Sequence, residues 1–260
     1  MIKADNKSEN LINFAFNNFS QNGEDGVIQE ILRRLGLQNS EKNWCVEFGA
    51  WDGIHLSNTF NLVEQGWNAV YLEGDKSRYK DLIKTAKKYP KIFPINAFVS
   101  KESNSRKRLD ELLKKTEIPL DFDLLSIDID SYDLEVWESL KEYNPKIIII
   151  EINSEYPPGI IKWHSNKHQN TKGNSFSATL NVAKDKGYEL CCHTGNMIFI
   201  KSELISMLNI DEKYLKFPEL LYNDLWFSLD KQNGFLKFIR RLNTFFQVKI
   251  LRNKDFYTRP

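Results

Sequence analysis

Two carboxylates and two glycines lie together in VEFGAWDG, residues 46–53, directly after an apolar run. Glycines at such a point let the backbone turn sharply and approach a ligand closely. Gly49 and Gly53 have the spacing G-x-x-x-G, which does not fit the G-x-G-x-x-G pattern of dinucleotide binding. Glu47 and Asp52 can instead face a cation. By itself the stretch indicates a nucleoside-like ligand at a turn from strand to helix, and its carboxylates suit the sulfonium and amino group of S-adenosylmethionine (SAM).

Polar residues end the next two apolar runs. Glu73 closes VYLE, at the position where a nucleoside ribose receives its bidentate carboxylate. Asn96, Ala97 and Phe98 end the third run and are candidates for contact with the adenine, Asn96 through its amide, and Ala97 and Phe98 through apolar surface. Ligands of open α/β sheets bind at the carboxyl ends of strands. We therefore expect these residues to form one site.

Three acidic residues follow the fourth apolar run: Asp128, Asp130 and Asp133. Carboxylates this close repel one another unless a cation or a shared proton relieves them. Asp128 and Asp130 are candidate catalytic residues, and Asp128 also belongs to the predicted cofactor site. Glu151 and Asn153 end the fifth run and could complete an oxygen-ligand set with the two aspartates. The alternative, that Asp130 and Asp133 cap or begin the following helix, stays open.

These residues need a sheet to position them. From Trp44 to about Lys201, short apolar runs alternate with helical stretches, as in a parallel sheet covered on both faces. Thr194-Gly195 predicts a hairpin between the last two strands. The fold expected is α/β: a Rossmann-like, seven-stranded, mostly parallel sheet with a C-terminal antiparallel hairpin and helices on both faces. Strands are predicted at 44–48, 69–73, 92–98, 122–128, 146–152, 189–193 and 197–200. Helices are predicted at 24–35, from 57 or 58, and at 76–88, 106–115, 132–143 and 177–186, the last stopped by Gly187.

The organisation expected is a core at 44–201 with two extensions. Residues 1–43 form an N-terminal helical lead-in, and residues 202–260 form a helical, aromatic C-terminal extension. Its tail from Lys231 carries eight Lys/Arg against one Asp. Packing on the core or on a second copy in a homo-oligomer is the favoured role of this tail. Contact with a membrane surface or an anionic substrate is the alternative.

The composition of the chain is that of an ordinary globular protein. The chain has 260 residues, 41% hydrophobic and 27% charged, with net charge +1, so charge gives no case for a nucleic-acid partner. No signal peptide and no integral membrane segment is expected. Three cysteines without zinc-site spacing suit a reducing compartment, so a cytoplasmic location is expected.

The combined motifs resemble FkbM-type class I SAM-dependent methyltransferases, most closely the bacterial branch associated with surface polysaccharides. The resemblance spans about residues 15–200 and rests on SQNGEDG (20–26), VEFGAWDG, LSNT (56–59), LEGD (72–75), LLSIDID (124–130) and GYE (187–189). It implies cofactor contacts by Gln21, Glu47, Gly49, Asp52, Glu73 and Asp128, and Gly53, Ser57 and Asn58 are further candidate cofactor contacts in these motifs. It also implies O-methylation of a sugar or small metabolite, and Asp128-x-Asp130 resembles the acidic pair that holds Mg²⁺ in some related sugar O-methyltransferases.

An alcohol acceptor needs a base or a metal to assist its deprotonation. The long loop 153–176 is a candidate substrate lid, and it contains two candidate catalytic histidines, His164 and His168. His193 is a further candidate base. Lys162, Lys167 and Lys172 in the same loop could recognise a phosphate on the acceptor.

The small-molecule acceptor stays open. A sugar hydroxyl, free or in a phosphorylated or nucleotide-linked precursor for capsule or another surface polysaccharide, fits the resemblance best. A phosphoryl or phosphoramidate oxygen in capsule modification would need no general base. Asp128-Ile129-Asp130 is also a D-x-D string of a nucleotide-sugar glycosyltransferase, although VEFGAWDG has no role there. A dehydrogenase and a non-catalytic SAM-fold binding subunit are the remaining alternatives.

Overall fold

Seven strands form one sheet in the computed structural model of the protein, which describes residues 9–38, 41–102, 104–129, 131–165 and 173–223. The strand order is β3-β2-β1-β4-β5-β7-β6. The first five strands pair in parallel, whereas β7 is antiparallel to both β5 and β6. The predicted fold is thus confirmed. The strands are β1 (Trp44–Phe48), β2 (Asn68–Glu73), β3 (Ile92–Asn96), β4 (Leu124–Ile127), β5 (Ile147–Glu151), β6 (Tyr188–His193) and β7 (Asn196–Lys201).

Helices cover both faces of the sheet because successive strand side chains point to opposite sides. Ile148 and Ile150 of β5 belong to one core cluster with residues of α4, α5 and α6, and Ile147 and Ile149 belong to a second cluster with residues of α1, α2 and α3. The near-continuous apolar strands predicted this two-sided burial. The helices are α1 (Glu24–Leu35), α2 (Phe60–Glu64), α3 (Lys76–Lys88), α4 (Leu109–Leu113), α5 (Asp133–Ser139), α6 (Phe176–Asp185) and α7 (Glu212–Lys216).

Helix α5 ends at Ser139, well before the predicted end at residue 143. The cause is the buried carboxylate of Asp110 in α4. It accepts hydrogen bonds from the backbone N–H groups of Lys141, Glu142 and Tyr143 at 3.2, 2.9 and 3.4 Å. These three N–H groups would otherwise continue the helix, so a side chain from a distant part of the sequence stops it.

Two other predicted bounds near the site are also wrong. Strand β3 ends at Asn96 rather than at residue 98, because its partner strand β2 ends at Glu73, the residue paired with Asn96. Helix α2 begins only at Phe60. The predicted cap Ser57 still acts at its start, since its hydroxyl accepts from the N–H groups of Thr59 and Phe60.

The predicted hairpin and helix stop are confirmed. Thr194 and Gly195 join β6 to β7, and Gly187, at φ 78°, follows the end of α6. After β7, residues 202–223 form two 3-10 turns, Ser202–Leu208 and Pro218–Leu221, around α7. The basic and aromatic tail from Lys231 lies outside the described residues. Within the described ranges, no helix has the length and apolar character needed to cross a lipid bilayer.

Candidate active site

The glycine turn after β1 brings three strand ends together. Gly49 has φ 83°, and a Cβ built on it would lie 1.7 Å from the backbone oxygen of Asp128, at the end of β4. The N–H groups of Gly49 and Ala50 both donate to the backbone oxygen of Leu72 in β2, at 3.1 and 3.2 Å. Only glycine fits a left-handed backbone packed this closely on another strand. The ends of β1, β2 and β4 therefore meet where a ligand was predicted.

Glu73 lies at the centre of this arrangement. Its side chain is buried, with one oxygen accepting from the Trp51 N–H at 2.9 Å and the other from the Asp75 N–H at 2.7 Å. Each carboxylate oxygen has two acceptor positions, so both oxygens keep one for a further donor. A pair of ribose hydroxyls is a donor set of the right kind.

Glu47, near the end of β1, holds the loop that follows this strand. It is buried, and its carboxylate accepts from the Ser57 hydroxyl (2.6 Å), the Thr59 hydroxyl (2.5 Å) and the Asn58 N–H (3.2 Å). Burial raises its pKa, although these hydrogen bonds offset part of the rise. The Asn58 amide also donates to the Ser126 hydroxyl of β4 at 3.1 Å. Glu47, Ser57 and Asn58 thus shape the loop after β1, and their contact with a cofactor stays a prediction.

The tip of the glycine turn is strained and exposed. Trp51 has φ 46°, a conformation that costs a bulky residue about 1–2 kcal/mol. Its ring is 41% exposed and lies under the Arg78 guanidinium, 4.8 Å from ring centroid to Cζ. Asp52 accepts from the N–H groups of Ile54 (2.9 Å) and His55 (2.7 Å), and so closes the turn. Gly53 has φ 79°, and a Cβ there would meet the Leu82 side chain at 2.9 Å.

An exposed aromatic ring borders Glu73 on its other side. Phe98 is 69% exposed, and a Cβ built on Gly74 would lie 2.3 Å from its ring. Asn96 and Ala97 both bond to the backbone oxygen of Glu73, through the Asn96 amide (2.8 Å) and the Ala97 N–H (3.2 Å). The predicted adenine residues therefore adjoin the predicted ribose residue. The free face of Phe98 beside a small residue offers a surface on which a flat base can stack.

The first residue of α1 contacts the hairpin between β6 and β7. Glu24 is fully buried and accepts from the Thr194 hydroxyl (2.7 Å) and the Asn196 amide (3.1 Å) of the β6–β7 hairpin. Its pKa is raised by burial. Asn196 pairs with Glu151, the last residue of β5. Gln21 is exposed three positions before Glu24, and its contact with a cofactor stays a prediction.

The described residues of the acidic loop after β4 form no metal site. Asp133 begins α5, as one of the two predictions has it, and accepts from the N–H groups of Ile129 (2.7 Å) and Ser131 (2.9 Å) in the loop before the helix. In the described part of the chain, no three His, Cys, Asp or Glu side chains are grouped to hold a metal ion. Asp130 lies outside the described residues. Mg²⁺ binding by Asp128, Asp130, Glu151 and Asn153 therefore gains no support and stays a prediction.

The loop after β5 folds back onto the start of α6. The N–H of Asn153 donates to the Asn174 backbone oxygen (2.8 Å), and the N–H of His164 donates to the Asn174 side-chain oxygen (2.8 Å). Lys162 and Ser175 exchange two further bonds, both 2.9 Å. The first half of the predicted lid is thus hydrogen-bonded to residues 174 and 175 and is not helical. His168, Lys167 and Lys172 lie outside the described residues.

Three residues that sequence reasoning did not select adjoin His164. Its ring contacts the Tyr132 ring edge-on, with centroids 4.7 Å apart, and Lys101 Nζ lies 3.6 Å from the Tyr132 centroid. Glu135 follows one turn later in α5, and its Oε2 is buried without a hydrogen-bond partner among the described residues. In the sequence, the feature that could have drawn attention to Glu135 is its place as a carboxylate in the first turn of the helix after β4.

His193, a candidate base in the sequence, is buried and packed against aromatic rings. It ends β6, is 2% exposed, and accepts at Nδ1 from the Asn223 N–H at 2.9 Å. The rings of Phe176 and Tyr222 pack on it, with centroids 5.6 Å away. Burial lowers its pKa to about 4. A neutral His193 therefore fastens the segment at 222–223 to the sheet.

The sheet has the strand order and the antiparallel seventh strand of the Rossmann-like methyltransferase fold. No protein-family model and no curated protein matches the sequence. Among solved structures, a SAM-dependent methyltransferase from Aquifex aeolicus matches with 12% identity and TM-score 0.41, over 69% of this chain and 87% of its own. A TehB-like SAM-dependent methyltransferase from Corynebacterium glutamicum matches with 13% identity and TM-score 0.39, over 66% and 87%. TrmK from M. capricolum, in complex with S-adenosyl-homocysteine (SAH), matches with 15% identity and TM-score 0.40, over 85% and 95%.

Proposed function

We propose that this protein is a cytoplasmic SAM-dependent methyltransferase that methylates a hydroxyl oxygen of a sugar or of a phosphorylated or nucleotide-linked sugar precursor. The observation that carries the proposal is Glu73, the last residue of β2, because one of its oxygens accepts from Trp51 in the glycine turn, the other accepts from Asp75 after β2, and each keeps a second acceptor position. The assignment to the FkbM type and to capsule or other surface polysaccharides rests on the motif resemblance alone.

The residues around Glu73 suit the parts of SAM. Glu73 would accept hydrogen bonds from the two ribose hydroxyls, and Phe98 would stack on the adenine. The close packing of Gly49 on Asp128 leaves the backbone at this point without side-chain bulk. When bound, SAM supplies a methyl group on a positively charged sulfur for in-line transfer to a nucleophile. The chain's remaining task is to orient the acceptor and to take its proton.

Titration calorimetry with separate ligands tests the proposal. SAH should bind the wild-type protein, and NAD or a UDP-sugar with Mn²⁺ should not. Replacement of Glu73 by Gln should weaken SAH binding by about tenfold or more, because two hydrogen bonds to a charged group become neutral. Asp75→Asn is the matched control. Asp75 is two residues away and caps α3, a role that Asn also fills, so SAH affinity should stay within about twofold.

The rival functions give different results. Binding of a UDP-sugar with Mn²⁺, but not of SAH, would replace the proposal with a glycosyltransferase, and binding of NAD would replace it with a dehydrogenase. A protein that binds SAH and yet transfers no methyl group to sugars, sugar phosphates or phosphoryl compounds would be a non-catalytic binding subunit. Equal weakening by Glu73→Gln and Asp75→Asn would remove Glu73 as the ribose ligand.

A further inference from the structure

A short segment of the loop after β5, residues 160–163, exposes three large apolar side chains. Ile160, Ile161 and Trp163 are 44%, 63% and 36% exposed, and Lys162 stands among them in the sequence. Exposed apolar groups this close together are a feature of interaction surfaces. The backbone of the segment is held in place, because Lys162 and Ser175 exchange two hydrogen bonds of 2.9 Å. This apolar loop therefore presents its side chains outward from a fixed position.

The apolar loop lies at the carboxyl edge of the sheet. It follows β5, and the ring of the next residue, His164, packs on Tyr132 in the loop after β4. The same edge carries Glu73 at the end of β2 and the glycine turn after β1. The apolar loop thus belongs to the end of the molecule that also carries the proposed cofactor site.

The last described residues bring the chain to this edge as well. The N–H of Asn223 donates to the ring of the last residue of β6 at 2.9 Å, and the Tyr222 hydroxyl donates to the backbone oxygen of Ser154, shortly after β5. The Tyr222 ring also contacts the ring of Phe176, with centroids 5.4 Å apart. Phe176 directly follows the serine that holds the apolar loop. Residues 224–260 therefore begin beside the apolar loop.

The sequence that follows, outside the described ranges, is basic and amphipathic. From Lys231 to Lys254 it contains seven Lys/Arg and no acidic residue. Six apolar residues recur three and four positions apart, as on one face of a helix: Phe235, Phe238, Ile239, Leu242, Phe245 and Phe246. Lys237, Arg240 and Arg241 would lie on the opposite face of that helix.

The signs of the charges distinguish two uses of such a segment. The outer face of a helix that packs on its own domain ordinarily mixes cations with anions. A polar face of cations alone, opposite an apolar face with aromatic rings, is typical of a helix that lies in the interface of an anionic membrane. The apolar loop has the same composition on a smaller scale, since Lys162 accompanies two isoleucines and a tryptophan.

We infer that this protein binds peripherally to an anionic lipid surface through the apolar loop and the amphipathic segment 235–246. Ile160, Ile161 and Trp163 enter the boundary between headgroups and acyl chains, where tryptophan is favoured, and Lys162 reaches the lipid phosphates. Two weak attachments that start side by side reach the same surface together, so their effects multiply. The carboxyl edge of the sheet then lies against the membrane. This inference goes beyond the proposed function and does not rest on it, because the attachment involves no SAM.

Co-sedimentation with lipid vesicles tests the inference on the full-length protein in the absence of SAM. Mixed vesicles of phosphatidylcholine and phosphatidylglycerol are compared with vesicles of phosphatidylcholine alone, at low and at high salt. Ile161→Ser changes the apolar loop at its most exposed residue. The double variant Arg240→Gln/Arg241→Gln removes two adjacent charges from the amphipathic segment.

Each variant has a matched control at the opposite edge of the sheet. Leu120→Ser replaces an apolar residue that is 59% exposed and lies shortly before the start of β4. Lys87→Gln/Lys115→Gln removes two charges from exposed lysines near the amino ends of β3 and β4. Thermal unfolding of every variant verifies that it is folded.

The wild type should bind the mixed vesicles, and should bind them more weakly at high salt and bind phosphatidylcholine alone about tenfold more weakly or less still. Ile161→Ser should weaken binding to the mixed vesicles about fivefold or more, because an apolar side chain that enters the lipid becomes polar. Arg240→Gln/Arg241→Gln should weaken it about tenfold or more, since each cation at an anionic surface adds to the affinity. Both controls should stay within about twofold of the wild type, because their residues lie away from the lipid.

Three results would overturn the inference: no binding of the wild type to the mixed vesicles, equal losses in Ile161→Ser and Leu120→Ser, or unchanged binding of Arg240→Gln/Arg241→Gln. If vesicle binding is absent, sedimentation velocity and thermal unfolding identify what the segment contacts instead. A wild-type dimer that Arg240→Gln/Arg241→Gln dissociates would assign the segment to a second copy of the chain. A monomer whose melting temperature falls in that variant would assign it to the protein's own core.

Discussion

The stability of the protein should depend on the protonation of His193. Its pKa falls from the usual 6.5 to about 4 on folding, and burial is the one cause, so the unfolded chain binds this proton more readily than the folded one. Stability from this residue is therefore complete above pH 6.5 and is lost as pH falls toward 4. The two pKa values correspond to a loss of about 2 kcal/mol in the free energy of unfolding between pH 7 and pH 5.

This loss is large beside the 5–15 kcal/mol that typically separates folded from unfolded states. Urea unfolding at pH 8, 7, 6 and 5, followed by tryptophan fluorescence, measures it. The raised pKa values of Glu24 and Glu47 act in the opposite direction, so the quantity to compare is the difference between wild type and His193→Gln. Gln does not titrate but can still accept from the Asn223 N–H. Parallel pH curves for the two proteins would refute the assignment of a neutral, buried His193.

Two further predictions concern packing and backbone capping. Gly49→Ala should destabilise the protein by about 2–4 kcal/mol, because a Cβ there meets the Asp128 backbone oxygen at 1.7 Å. Gly187→Ala, at a similar φ but with no atom within 4 Å of the added Cβ, should cost only about 1 kcal/mol. Urea unfolding measures both variants, and equal losses of stability would contradict the close contact at Gly49. Asp110→Ala should cost about 3 kcal/mol by leaving three N–H groups without their acceptor, whereas Glu111→Ala, which removes an exposed ion pair with Lys114, should cost less than about 1 kcal/mol. Thermal unfolding measures this pair, and a similar melting temperature for the two variants would show that Asp110 does not hold the chain after α5.

Local patterns in the sequence were sufficient to predict the sheet and the position of Glu73 next to the glycine turn. Each strand is a short apolar run, and Glu73 is the last residue of its run. Because ligands bind at the carboxyl ends of parallel strands, the position of Glu73 next to the glycine turn could be predicted from the fold class alone. The bounds of α5 did not follow. They depend on Asp110, whose hydrogen bonds reach residues 31–33 positions away.

The surroundings of His164 and His193 could not be predicted for a related physical reason. Glu135 is one of many charged residues in a helix, and its environment comes from loops after two other strands. His193 was a candidate base by residue type. The bond that gives it a structural role comes from Asn223, 30 residues further along the chain. Residue type and spacing identify groups within one loop, whereas contacts between loops depend on the packed sheet.

The position of β7 between β5 and β6 has a consequence for how the protein is made. When the ribosome has released the chain only as far as Gly195, β5 has no neighbour on its outer side, because among the described strands β6 pairs only with the later strand β7. That open edge carries four consecutive isoleucines, 147–150. Such an edge is a template for association with other chains. The hairpin must therefore dock as one piece, and a nascent chain remains prone to aggregation until about residue 201 has emerged.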